Sequence, residues 1–406
     1  MWKIMRGCVL FSVFCAIIFL SLPGWAAEDI FAMIEKGDID GVKAAIAEGS
    51  DPNIRNSRQQ TPIFIAARNA SPEIVALLLN ASADVTLKDD TGASVLFSAL
   101  RLPLPTEVSE VFLEKKLEVV NLLLGAGVDV NAVDNAGTTP LMFFTVIFGN
   151  KEWLSRESVL MFLNTLLAAG LDLNARNSEG ATALLLAAGI PKGKLAEALI
   201  DAGADVTAKE PTGMTALHWA AWNGTREVIK KLVASGLNVE ARNSEGMTAL
   251  HYAAVGYRSR DVVELLISLG ADVNAQGEGS ATPLFVACMG GASSVAAALL
   301  ENGADVNTRG DGLTLLHLAT GYLMEAKQDI GWDEMEAEIP RNFLGLTKTL
   351  VEFGADINAL SGKVNDAGVP YSGQFSEKTP LDFAEAIGNI EIAQYLKSIG
   401  AKSGTK

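Results

Sequence analysis

The sequence predicts an all-α solenoid of about ten stacked helix-turn-helix units with hairpin fingers between them. Three observations carry that prediction. The phrases T-A-L-L-L-A-A, T-A-L-H-W-A-A and T-A-L-H-Y-A-A begin at Thr182, Thr215 and Thr248, 33 residues apart. About twenty residues after each comes a second phrase, G-A-D-V-T-A, G-L-N-V-E-A or G-A-D-V-N-A. Relaxed forms of the first phrase start at Thr61, Ser94, Thr139, Thr282, Thr314 and Thr379, so the period runs through almost the whole chain. In such an array each unit buries its apolar face on its neighbours, and one array replaces the two or three domains that 406 residues would otherwise suggest. Long open surfaces favour binding over catalysis.

The elements follow in order. Lys3 and Arg6 precede an apolar run from Cys8 to Leu22, then Pro23, Gly24, Trp25, Ala26 and Ala27, with no acid before Glu28. A basic start, an apolar middle and small residues at the end predict a signal peptide over 1–27, cut after Ala26 or Ala27. An uncleaved anchor is the alternative, although the run is short for a span. Either outcome places the rest outside the cytoplasm, periplasmic or secreted. Residues 28–60 read as a degenerate first capping unit, 61–378 as the repeats, and 379–401 as a C-terminal cap whose Gln394, Lys397 and Ser398 suit an outer face.

Each residue type in the period has a local reason. Thr caps the first helix, and Pro is tolerated at its first position because no intrahelical donor is lost there. The Ala pair lets neighbouring first helices approach closely. The spacing in E-I-V-A-L-L-L from Glu73 to Leu79 makes one apolar helical face. Gly203, Gly236, Gly270, Gly303 and Gly354 supply the left-handed residue that ends a second helix. The turns Asp89 to Gly92 and Asp134 to Gly137 make finger tips.

On these residues the chain resembles the ankyrin repeat, from roughly Asp29 to Ala401, with ten helix pairs expected. The resemblance implies that first helices line a concave face and that the fourth-slot histidine braces the finger by hydrogen bonds. It also implies that partner specificity lies in variable surface slots. Three stretches exceed the period. Inserts are expected near 101–110, 148–157, 322–342 and 360–378. The insert 322–342 carries Glu325, Asp329, Asp333, Glu334, Glu336 and Glu338 around Trp332. Inserts in repeat arrays often map to a binding face, and neutral drift in loop length is the plainer reading.

The composition excludes several chemistries. The net charge is −16, and no basic stripe is visible, so nucleic acid is a poor partner; the acidity either draws in a basic protein or serves only to keep a long solenoid soluble. Once Cys8 and Cys15 leave with the signal, Cys288 stands alone, at a core slot, so no intramolecular disulfide forms. The histidines are His218, His251 and His317, all in the fourth slot of the phrase, spaced one or two periods apart. Stacked units lie about 10 Å apart, too far for ligands of one metal ion. No nucleophile elbow and no phosphate-binding glycine loop occurs. No cofactor, no metal and no catalytic residue is expected.

Binding has better candidates. Trp219 and Trp222 lie three apart on one first helix. Tyr252 repeats the slot of Trp219, Met289 repeats the slot of Trp222, and Tyr257 and Tyr322 fall just beyond their helices. With Trp332 these form the expected partner-binding set, since exposed aromatics on a recognition face act as anchors. Packing between first helices is the competing role for Trp219. The expected protein is a monomeric, non-enzymatic interaction scaffold outside the cytoplasm, free of the membrane after signal cleavage. The alternatives are a secreted effector acting on host proteins and an enzyme with its site in 322–342.

Overall fold

The computed structural model of the chain describes residues 23–102, 109–149, 155–191, 193–255, 260–310, 312–321, 342–362 and 377–404. The chain forms two compact units, residues 1–178 and 179–406. The first contains four helix pairs: α1 (Pro23–Lys36) with α2 (Ile39–Ala47), α3 (Pro62–Arg68) with α4 (Pro72–Asn80), α5 (Val95–Leu100) with α6 (Glu110–Gly125), and α7 (Pro140–Gly149) with α8 (Arg156–Ala168). The second contains six: α9 (Ala183–Ala188) with α10 (Lys194–Asp201), α11 (Ala216–Trp222) with α12 (Arg226–Ala234), α13 (Ala249–Val255) with α14 (Arg260–Ser268), α15 (Pro283–Met289) with α16 (Ser293–Glu301), α17 (Leu315–Ala319) with α18 (Phe343–Glu352), and α19 (Pro380–Ala386) with α20 (Ile390–Ser398). Within each unit, first helices stack on first helices and second helices on second. This is the expected all-α repeat solenoid, with ten pairs among the described residues.

The local chemistry explains where helices start and stop. Pro occupies the first turn of α3, α4, α15 and α19. Thr182 and Thr282 accept bonds from backbone amides three residues on, filling one orphan donor each. The Ala pairs Ala66–Ala67, Ala220–Ala221 and Ala253–Ala254 are buried where first helices meet. At the other end, Gly203 has φ +90° and a Cβ there would meet nothing within 4 Å, so its requirement is conformational rather than steric. The same place behind α4 is held by Ser82, at φ +67°, where an L side chain is strained.

The fingers are joined edge to edge. The Ser244 amide donates to the Thr212 carbonyl at 2.8 Å, and Gly213 sits so close that a Cβ would lie 3.0 Å from Ser244 N. Arg242 donates across to the Gln276 carbonyl, and Asn274 to the Gly303 carbonyl at 3.1 Å. One finger closes as a two-residue ribbon, β1 (Arg309–Gly310) with β2 (Leu313–Thr314).

The extra length of the first unit lies partly in its helices. Of the insert expected near 101–110, Glu110 opens α6, which has 16 residues against nine in α4. Ser109 caps α6 by accepting from the Phe112 amide, and Leu113, Val120 and Leu123 continue one buried face. Most of the inserts 322–342 and 360–378, and residues 1–22 of the signal segment, lie outside the described residues. The expected cut after Ala26 or Ala27 falls within α1.

Candidate binding surface

The sequence A-L-H-W-A-A-W of α11 sorts by helical direction. Leu217, His218, Ala220 and Ala221 turn inward and are buried, while Trp219 and Trp222 stay half-exposed. The Trp219 indole donates to Glu210 at 2.9 Å, which ties the ring to its own finger. Tyr252, in the equivalent place on α13, accepts from Asn243 at 2.9 Å, again in its own finger. Its ring meets the His218 ring edge-on at 5.4 Å and the Trp222 ring at 6.2 Å. Burial pushes the Tyr252 phenol above its ordinary value, and the Glu245 carboxylate adds to that. The phenol is therefore neutral at pH 7 and has a proton to donate.

Trp222, Tyr252 and His218 are thus brought into one aromatic group, with Trp219 beside it on α11. Met289 is half-exposed on α15, two first helices away. Val286 and Leu318, which continue the Trp219 slot, are buried, so the aromatic row ends at α13. Tyr257, Tyr322 and Trp332 lie outside the described residues. Glu210 and Asn243 escaped sequence reasoning. Each precedes its aromatic partner by nine residues across a finger, a spacing that matches no helical or strand period. Glu179, Glu245 and Glu278 are exposed in the neighbouring fingers, which gives the surroundings of the row an acidic character.

The histidines act as braces. The Thr215 amide donates to His218 Nδ1 at 3.1 Å, so Nε2 carries the proton and donates to the Met247 carbonyl at 3.1 Å in the next finger. His251 repeats this with Thr248 and Ala281, and His317 with Thr314 and Lys378. Burial depresses His218 and His317 to about 4. Where Phe64 and Phe97 fill the fourth slot, the hydroxyls of Thr61 and Ser94 are buried without a partner among the described residues. In the last repeat the slot holds Asp382, which accepts from the Thr379 amide at 2.8 Å and from the tail amide of Gly404 at 2.9 Å. Cys288 is fully buried, and burial drives its thiol far above the ordinary range. Among the described residues no group of three His, Cys, Asp or Glu side chains is placed to hold a metal ion.

Comparison with known proteins agrees with this geometry. The family model described as "Ankyrin repeats (3 copies)" matches residues 30–116, 108–210, 154–243 and 191–277. That described as "Ankyrin repeats (many copies)" matches 266–319. A stretch of 125 residues is 24% identical to the human "Transient receptor potential cation channel subfamily A member 1", covering 30% of this chain and 11% of that protein. The chain therefore spans about a tenth of that relative. The matched repeats, the paired helices and the histidine braces together establish that the chain belongs to the ankyrin-repeat family.

Proposed function

We propose that this chain is a non-enzymatic scaffold that binds a protein partner outside the cytoplasm through the aromatic row on α11 and α13. One observation carries the reading. Trp219, Trp222 and Tyr252 are large, half-exposed rings held in place by Glu210, Asn243 and each other. Side chains already fixed by hydrogen bonds lose little freedom on binding, which is what an anchor requires. In the arc expected of the family this row lies on the concave face, with Met289 at its margin. The acidic fingers and a net charge of −16 favour a basic partner, drawn in by long-range attraction. The signal-like residues 1–27 support an extracytoplasmic site of action, and the protein is proposed to act as a monomer. No helix among the described residues is long and apolar enough to cross a membrane.

The test compares Trp222→Ala with the wild type against a partner captured from periplasmic or culture extract. Trp222→Ala should weaken capture by about 2 kcal/mol or more with little change in melting, because its ring is partly in water already. If Trp222→Ala binds the partner as tightly as the wild type, the aromatic row is not the recognition site. An even distribution of the protein between the cytoplasmic and extracytoplasmic fractions would refute the location.

A further inference from the structure

Two repeats of the first unit carry charge where α11 of the second carries a ring. Arg68 and Arg101 occupy, on α3 and at the end of α5, the slot that Trp222 fills on α11. Both line a cavity of about 540 Å³ together with Lys36, Ile34, Leu102 and Phe112. Among the described residues the Arg68 guanidinium has one distant ion-pair partner, Glu35 at 3.7 Å. The Arg101 guanidinium has no ion pair or hydrogen bond among the described residues. Beneath them lies Lys116, fully buried, which donates to the Ala67 carbonyl at 2.9 Å and the Ser98 carbonyl at 3.1 Å. Burial depresses Lys116 to about 7, and repulsion from Arg68 and Arg101 deepens the shift.

In a chain of net charge −16, three cations, Lys36, Arg68 and Arg101, lining one cavity with one carboxylate is a local reversal of sign. Like charges held together are a standing cost that a bound anion removes. Two guanidinium forks suit a planar, bidentate anion. Glu35, also in the lining, opposes a doubly charged one. Ile34, Leu102 and Phe112 offer an apolar part of the wall, with Asn69 and Ser71 as polar neighbours.

We propose that this cavity binds a singly charged carboxylate carried on an apolar group, with Arg68 and Arg101 as the fork and Phe112, Ile34 and Leu102 around the apolar part. Two sources share that chemistry, the C-terminus of a partner chain and a free organic acid. The proposal is independent of the aromatic row in the second unit.

The test is calorimetric titration of the full chain with four probes: N-acetyl-leucyl-phenylalanine, its C-terminal amide, 3-phenylpropionate and inorganic phosphate. The free acids should bind and the amide should not. A peptide acid at least tenfold tighter than phenylpropionate identifies a chain end as the occupant, and equal affinity identifies a small acid. Arg101→Gln should lower acid affinity about tenfold or more, while its melting stays that of the wild type. Arg101→Lys, which keeps the charge and loses the fork, should fall between. Bound acid should also raise the titration midpoint of Lys116, read by nitrogen-detected NMR. Binding of phosphate in preference to both acids, equal binding of acid and amide, no binding at millimolar concentration, unchanged binding by Arg101→Gln, or a Lys116 midpoint unmoved by bound acid would each overturn the proposal.

Discussion

Mild acid should unfold the second unit through its braces. His218 and His317 are neutral in the fold, with values near 4, against 6.5 for the free side chain. Lowering the pH therefore protonates the unfolded chain first. Stability contributed by each histidine is complete above 6.5 and is lost as the pH falls toward 4. Going from pH 7 to pH 5 should remove about 2 kcal/mol per histidine by linkage, so about 4 kcal/mol for the pair. His251 is depressed in the same direction and adds to this. The window is clean, because the carboxylates held low in the fold, such as Asp382, titrate below it. Urea melts of the wild type and of His218→Gln at pH 7, 6 and 5 test the reasoning. Gln can accept from the Thr215 amide and donate toward Met247 without taking up a proton. The variant should lose about 2 kcal/mol less than the wild type across the window. If both lose stability in parallel, or if His218 titrates near 6.5 by NMR, the neutral-brace argument fails.

Other expectations follow from single positions. Lys116 gives the same sign in a higher window: stability should rise by about 1 kcal/mol per pH unit between pH 7.5 and 9.5, and Lys116→Met should flatten that slope in paired melts. Ser82→Gly should raise stability by about 1 kcal/mol, since it relieves a left-handed φ at an exposed residue; an unchanged or lowered melting midpoint would count against the strain. Leu217→Ala should cost about 2–5 kcal/mol in the same melts, because Leu217 is fully buried between helix pairs. Melts of the chain lacking residues 1–27 should coincide with and without dithiothreitol, because Cys288 is buried and has no second cysteine; a large drop in reductant would reveal an intermolecular bond.

The sequence displayed the frame of the fold because its determinants are local. Pro62, Pro283 and Pro380 open helices, Gly203 closes one, and the 33-residue step tells which phrase stacks on which. Features that depend on distant residues stayed hidden. The period shows that the third helix pair is long, yet only packing reveals that α6 absorbs part of the excess. Lys116 on an apolar helix face reads as solvated until the carbonyls of Ala67 and Ser98 are seen above it. Arg68 and Arg101 look like ordinary surface charges when taken singly, since their shared cavity exists only after stacking. The aromatic pair on α11 was visible from spacing, whereas the finger residues that fix its orientation were not.

The fourth-slot contacts also give the second unit a polarity. Each histidine grips its own Thr on one side and the following finger on the other, always toward the C-terminus. Removing repeats from the front of that series leaves every ring nitrogen engaged. Removing them from the back strands an Nε2 donor at the new end, unless an acid takes its place, as Asp382 does by holding the tail at Gly404. The array is in this sense a sentence with a full stop. Shortening or lengthening it by whole units should succeed at its beginning or middle, and should fail at its end unless the terminal repeat travels with the cut.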